Sequence, residues 1–428
     1  MTMTGDQQLL KRINRMALVR CVRSLPAPSR SDLAAHTGLT KSTISLLAQE
    51  LIDEGWLRER GRAVTGSLGR RPTPLVLDDS RLALIGVELG VDTLTVVTTS
   101  LTGQVLHSAS ENLPRAAPES ALNRAHNSAP NSAPNGGPHS AIHGAPDITP
   151  EAVSALIVQR LVAAAASVQA SQRRLLGFGL GVPGAVDEPS GIVRVAPNLG
   201  WREVPVREWL SAGLREAGWG KVPLHVQNEA DVAALGEFEF GLPPVPEPLI
   251  YLSLDVGVGA GIVLNDRLFT GAQGLAGEVG HTSLERDGPA CSCGRHGCAE
   301  AFIGLRAIAL RAGIAATGVE PLRQRLLAAD PAATQAVERA GDCLGVLLQN
   351  LWMSFNPARF VLGGPTCELG EVFLSAARRS LDRYAAEAGL AAPPVALARF
   401  GREAVAVGAA ALVLHQAVRP FHERVTPR

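Results

Sequence analysis

Apolar positions recur at helical spacing at the start of the chain. Leu9, Ile13, Met16, Ala17 and the run Val19–Val22 share one side of a segment over 8–25, which stops before the turn at Pro26–Pro28. Ser29 or Ser31 is positioned to cap a short helix through His36, and Gly38 supplies a tight turn. Thr40 then caps a longer helix whose apolar face is Ile44, Leu47, Leu51 and Ile52, ended by Gly55. Helix, glycine turn and capped helix make the helix-turn-helix pattern, in which the second helix enters the major groove of DNA by its first residues. Here those are Lys41, Ser42, Thr43 and Ser45, small or cationic donors suited to phosphates and base edges. Leu46, on the same surface, is an unexpected apolar neighbour.

Trp56–Arg62 fits a first wing strand and Gly66–Pro72 the wing and its exit. Arg70 and Arg71, in an extended Gly/Pro frame, are suited to a narrow minor groove. An ordinary helical hairpin followed by a solvated basic linker is the plainer alternative.

From Leu82 the pattern shortens to strand-like runs, Leu82–Leu89, Thr93–Thr99 and Gly103–His107, which predict a β-meander opening an α/β domain. Residues 113–150 are rich in Pro, Ala, Asn, Ser and Gly without periodicity, a composition expected to form a disordered loop because it buries too little surface. An alanine-rich helix over 151–170 follows, then apolar strands at Leu175–Val182, Pro223–Val226 and Leu249–Leu254.

Composition sharpens this picture. The 428 residues are 46% hydrophobic and 19% charged with a formal net charge of zero, those of a globular chain with ample core. Charge is uneven: residues 1–75 hold twelve Lys/Arg and six Asp/Glu, a surplus of +6 that the remainder balances with −6. A basic head on an acidic body fits a polyanion-binding module joined to a sensor of neutral ligands. No uninterrupted run of about 18 apolar residues occurs and the start lacks a signal-peptide core, so a cytoplasmic location with no membrane span is expected.

The body's candidate chemistry lies at strand ends. Gly181–Asp187 (GVPGAVD) closes one strand, and Gly and Pro there let backbone approach a ligand. Asn228 and Glu229 follow another strand at the start of a helix, where they are either polar ligand contacts or, with Asp231, a helix cap and dipole partners. Asp255–Gly261 (DVGVGAG) makes a glycine hairpin whose N–H groups suit an anion. Cys291, Cys293 and Cys298 fall within eight residues, and His281 stands ten residues upstream. One imidazole and three thiolates make a closed tetrahedral set for structural zinc. His296, inside the cluster, is a rival to His281.

With GEVGH (277–281) and CSCGRHGC (291–298) in view, the chain resembles the ROK family of repressors and sugar kinases, from its first helix to Gly408–Leu412. The resemblance implies a two-lobed actin-like ATPase fold behind the winged helix-turn-helix, and zinc on His281, Cys291, Cys293 and Cys298. It implies sugar contacts from Asn228, Glu229, Glu278, His281 and Glu300, with Asn198 of the PNLGW segment a further candidate. On this basis the domains are expected at 1–78 (DNA-binding head), 79–205 plus 396–428 (smaller lobe) and 206–395 (larger lobe with the zinc).

The departures from the kinase pattern matter as much. Glu88-Leu-Gly-Val-Asp92 replaces the first phosphate loop's Asp-x-Gly-Gly-Thr, and Asp255-Val-Gly257 replaces the second loop's Gly-Thr-Gly, losing hydroxyls and adding carboxylates that repel phosphate. Glu229 stands where the kinases have a catalytic aspartate, one methylene longer. No ATP use is therefore expected. The expectation is a repressor without a catalytic residue, binding a palindromic DNA operator as a homodimer or dimer of dimers and released by a monosaccharide. An ATP-dependent sugar kinase is the alternative, and a constitutive DNA-binding protein with a vestigial body is a third.

Overall fold

Ser29 and Asp32 close a reciprocal capping box on a short helix, and that local device starts the head's second element. The computed structural model describes residues 7–60, 73–113, 149–241, 245–315 and 318–419. Helix α1 (Gln7–Ser24) is followed by α2 (Arg30–Thr37), the left-handed Gly38 (φ 72°) and α3 (Lys41–Asp53), capped by Thr40. The apolar faces read from the sequence converge: Leu18, Val19, Val22, Leu33, Ile44, Leu47 and Leu51 are buried together. Strands β1 (Leu57–Glu59) and β2 (Leu75–Leu77) pair antiparallel as the base of a wing, shorter than the expected strand over 56–62. The wing tip with Arg70 and Arg71 lies outside the described residues.

The body begins with β3 (Leu82–Leu89), β4 (Thr93–Thr99) and β5 (Val105–Asn112), the predicted meander. Most of the 113–150 segment lies outside the described residues, but its ends are anchored. Leu113 donates its N–H to the Asp92 carbonyl, and Thr149 caps α4 (Pro150–Ala170). Helix α4 is long and apolar enough by composition to cross a membrane. Its Val153, Ile157, Leu161, Ala165 and Val168 form a stripe buried with Ile85, Val87 and Phe178 of the adjoining sheet.

Strand β6 (Arg174–Val182) leads to the small antiparallel sheet β7 (Ala185–Asp187), β8 (Ile192–Ala196) and β9 (Trp201–Val204), and then to α5 (Val206–Glu216). Strand β10 (Leu224–Asn228) runs directly into α6 (Glu229–Glu239). The first large sheet has the order β10-β6-β3-β4-β5. The second holds β11 (Leu249–Leu254), β12 (Val258–Val263), β13 (Arg359–Gly363) and β14 (Val395–Leu397) in the order β12-β11-β13-β14. Helices α7 (Glu300–Ile303), α8 (Leu305–Arg311), α9 (Glu320–Leu327), α10 (Pro331–Phe355) and α11 (Glu371–Glu387) accompany it, and α12 (Ala404–Val418) returns to the first sheet. Leu224–Asn228 joins the first sheet, because it pairs in parallel with β6, and Val395–Leu397 joins the second by pairing with β13.

Two helices lie between the sheets. Helix α12 rests on β3 and β6 so closely that a side-chain carbon on Gly179 would stand 1.8 Å from the Ala409 carbonyl oxygen. Helix α6 lies against β11 and β12. The two helices cross backbone to backbone, since a carbon added to Gly408 would meet the Val232 carbonyl oxygen at 2.0 Å. Gly408→Val is therefore expected to lower stability by about 3 kcal/mol, read as a reduced midpoint in urea unfolding. An unchanged midpoint would mean that the crossing tolerates separation.

Candidate functional site

The carboxyl ends of β3, β6 and β10 meet at one edge of the first sheet, where Glu88 pairs with Gly181 and Asn228 with Val182. Ligands of open α/β sheets bind beyond such ends. Asn228 caps α6: its Oδ1 accepts from the N–H groups of Ala230 (2.8 Å) and Asp231 (3.3 Å). Its Nδ2 donates to the Gly184 carbonyl (2.8 Å). The side chain thus ties the GVPGAVD turn to the helix start, so the capping role is present whatever else it contacts. Asn198 sits half-buried in the turn Pro197–Leu199 after β8.

Glu229 follows at the head of α6, partly buried, and its carboxyl is pushed up to about 7 by burial and by the charges of Asp255 and Glu278. Glu88 is raised to about 8 by burial, with Glu229 and Asp255 adding to it. Asp255 keeps contact with solvent, yet surrounding protein raises its carboxyl and Asp92 adds to the effect. Strand ends from both sheets therefore bring the carboxyl groups of Glu88, Asp92, Glu229 and Asp255 together, and each disfavours ionisation of its neighbours. A nucleotide's phosphates would add negative charge to a set that already takes up protons to limit its own.

Sequence reasoning passed over Asp231, read only as a dipole partner. It is 4% exposed, its Oδ1 has no hydrogen-bond partner among the described residues, and burial with Glu188 and Glu278 raises it well above the usual range. Its position one turn into α6 was visible; its isolation from counter-charge was not.

The cysteine knuckle follows the turn that holds His281. His281 Nδ1 is 3.6 Å from Cys291 Sγ, and Cys293 Sγ is 3.7 Å from Cys298 Sγ; the four ligand atoms all fall within 4.8 Å of one another. Zinc bonds of about 2.0–2.3 Å in a tetrahedron place ligand atoms roughly 3.3–3.8 Å apart, so the donor set fits zinc in number, type and spacing. His296 is exposed outside the set. The knuckle needs Gly297, with φ 69° and a missing side-chain position only 1.5 Å from the Glu285 carbonyl oxygen.

Glu300 joins this centre to the glycine hairpin. Its Oε1 accepts from Ser292 Oγ (2.9 Å) and its Oε2 from the Val258 N–H (3.3 Å). Glu278, at the start of the turn holding His281, is raised by burial, which the His281 charge opposes and Glu300 reinforces.

In the head, Lys41, Ser42 and Ser45 are exposed and Thr43 is half-buried at the start of α3. The hydroxyls are engaged locally: Ser42 and Thr43 with Thr40 at 2.9 and 2.8 Å, and Ser45 with the Lys41 carbonyl at 2.8 Å. Leu46 is 60% exposed beside them.

Carboxyls whose folded values lie above the unfolded ones bind extra protons in the folded chain. Glu88 and Glu229 therefore favour folding fully below about 4.5, and that contribution is lost as pH rises through about 7 to 8. The urea midpoint is expected to fall between about pH 5 and pH 8, and Glu229→Gln to flatten the fall. A variant as pH-dependent as the wild type would remove Glu229 from this role.

Comparison with known proteins agrees with this architecture. The ROK family model matches residues 141–416, and an IclR helix-turn-helix model matches residues 15–61. A xylose repressor of Caldicellulosiruptor bescii is 29% identical over 426 residues, covering 96% of this chain and 97% of the relative. Among solved structures, a ROK family transcriptional regulator homologous to the E. coli MLC protein superposes with a TM-score of 0.73 at 21% identity, over 96% of both chains. A ROK family glucokinase from Streptomyces griseus, solved with glucose and AMPPNP, gives 0.59 at 25% identity over 77% of this chain and 98% of its own. The glucokinase matches less of the chain and the repressor matches nearly all of it. This chain belongs to the ROK family and carries the family's two-lobed actin-like body behind a helix-turn-helix head.

Proposed function

We propose that the protein is a sugar-responsive transcriptional repressor whose body holds a monosaccharide without phosphorylating it. One observation carries the reading: the phosphate-side edge of the cleft presents Glu88, Asp92 and Asp255, while the helix-turn-helix head packs into the same core as the body. The first feature disfavours ATP, and the second links whatever the cleft binds to the DNA-binding surface. Glu229, Glu278, His281 and Glu300, together with Asn228 and Asn198, are the groups offered to sugar hydroxyls. Lys41, Ser42, Thr43 and Ser45 at the start of α3 are the groups offered to the major groove, and Arg70 and Arg71, outside the described residues, those offered to the minor groove.

A homodimer or dimer of dimers would set two such helices on a palindromic operator. The xylose repressor named above is matched along almost its whole length, which favours this function over a kinase. The alternative, an ATP-dependent sugar kinase, draws on the glucokinase likeness and on Glu229, whose carboxyl near 7 would suit a general base.

A mobility-shift experiment decides between them. Duplexes selected by the protein from random DNA are expected to be bound and then released by one member of a panel of xylose, glucose, N-acetylglucosamine and their phosphates. A coupled assay with ATP and the same panel is expected to show no turnover. Absence of DNA binding would overturn the repressor reading, and turnover lost in Glu229→Ala would establish the kinase.

His281, Cys291, Cys293 and Cys298 are the ligands for one structural zinc, which would stiffen the segment carrying Glu278 and Glu300. Elemental analysis is expected to find one zinc per chain. Chelation or Cys293→Ser is expected to lower the melting temperature and abolish the sugar response; unchanged melting and response would rule out this role.

A further inference from the structure

Where the head meets the body, five ionisable side chains from distant parts of the chain meet around the buried Glu239, with Asp266 half-exposed at the edge. Glu239, the last residue of α6, is 2% exposed. Its Oε1 accepts from His415 Nδ1 at 2.7 Å and Arg419 Nη1 at 2.6 Å, and its Oε2 is paired with Arg23 of the head's α1. Arg419 also holds Asp266, just beyond β12. The guanidinium groups of Arg23 and Arg419 both lie over the Phe238 ring, at 5.9 and 5.5 Å from its centre. Arg23 is lowered to about 10 by burial, with the Arg419 charge adding to it, and so stays protonated at neutral pH. Two carboxylates thus face two guanidinium groups, and removing one partner of such a set leaves a buried charge uncompensated.

Position gives the cluster its meaning. Helix α6 begins at Asn228 and Glu229 in the cleft and ends at Glu239 under the head, about 16 Å away for 11 residues. It lies against the second sheet, where a carbon on Gly261 would stand 2.2 Å from the Ala230 carbonyl oxygen, whereas α12 lies on the first. The two helices are therefore the contact between the lobes, and α1 touches the far end of each. Arg23 grips Glu239 of α6, and Arg20 donates to the Val418 carbonyl at the end of α12 (3.0 Å). The rest of the head is fixed to the first lobe: Arg81 and Arg174 donate to the Ile52 and Glu54 carbonyls at the end of α3, at 3.1 and 3.0 Å.

We propose that the Arg23–Glu239 pair transmits cleft closure to the DNA-binding head, because α1 bridges the ends of two helices packed on opposite sheets. The proposal rests on the sugar-responsive repressor reading and names the link that reading requires. A closing cleft shifts α6 against α12, and a head held to α12 by Arg20 and to α6 by Arg23 must tilt or release one grip. The adjoining cavity, lined by Arg12, Arg15, Arg174 and Arg419, does not offer a comparable anion site. Arg15 and Arg174 are engaged by Glu54, and Arg419 by Glu239 and Asp266.

The test uses the full chain, the selected duplex and the panel sugar that releases it. The readout is the ratio of DNA affinities without and with sugar, roughly 5- to 150-fold for coupled sites. Sugar affinity is measured separately by calorimetry. Arg23→Met, at a partly exposed position, is expected to leave sugar affinity within about two-fold and bring the ratio to within about two-fold of one. Arg23→Met combined with Glu239→Gln is expected to bring the ratio no closer to one than the single change, since the Arg23 grip is already cut. A ratio in Arg23→Met equal to that of the wild type would overturn the proposal, even where Glu239→Gln fails to fold. A wild type that no panel sugar releases would defeat the repressor reading and the proposal together.

Discussion

Backbone contact between α6 and α12 is the constraint from which the body's arrangement follows. At Gly408 no side chain fits between the helices, and at Gly179 none fits between α12 and the first sheet. Residues of this size let two helices and two sheets stack with main chains in contact, and such interfaces shift between discrete arrangements more readily than they deform. Everything that defines the cleft hangs from this stack. Asn228 and Glu229 stand at the start of α6, the hairpin with Asp255 extends from the sheet under α6, and α12 carries the first lobe.

The site that results is rich in carboxyl groups. Glu88, Glu229 and Asp255 are raised by burial and by neighbouring carboxyls. Beside them, the cysteine knuckle holds Glu300 and the turn bearing Glu278 and His281. A neutral, hydroxyl-rich ligand is compatible with such a site, since carboxyl groups hydrogen-bond hydroxyls and, where ionised, repel polyanions. A fold shared with glucokinases thus belongs to a chain whose relatives include repressors.

The head belongs to this stack and is not merely strung beside it. Its α1 buries Leu18, Val19 and Val22 in a core that continues through Val97 and Leu101 to Leu412 and Val418 of the body. Polar anchors at the end of α3 and buried charges at the end of α1 complete the joint. A linker-tethered head would be indifferent to the body's state; a head sharing its core is not.

Local chemistry made much of this legible from the chain alone. The Thr40 cap, the Gly38 turn and the Ile44, Leu47 and Leu51 face act within one or two turns of helix, so spacing alone determines them. Three cysteines fall within eight residues, and so a cluster able to hold a metal is written almost entirely in one segment, with His281 added by short reach. Sheet membership was less legible: Leu224–Asn228 joins the first lobe through pairing with β6, a partner more than forty residues away. The Arg23, Glu239, Asp266, His415 and Arg419 cluster left no trace in the sequence, because each residue alone resembles an ordinary surface charge. Only the fold gathers them around Glu239, whose burial makes its pairing obligatory. The sequence by itself determined the elements and the close spacing of His281 and the three cysteines. Tertiary structure decided which charges are buried together, because desolvation depends on neighbours that come from every part of the chain.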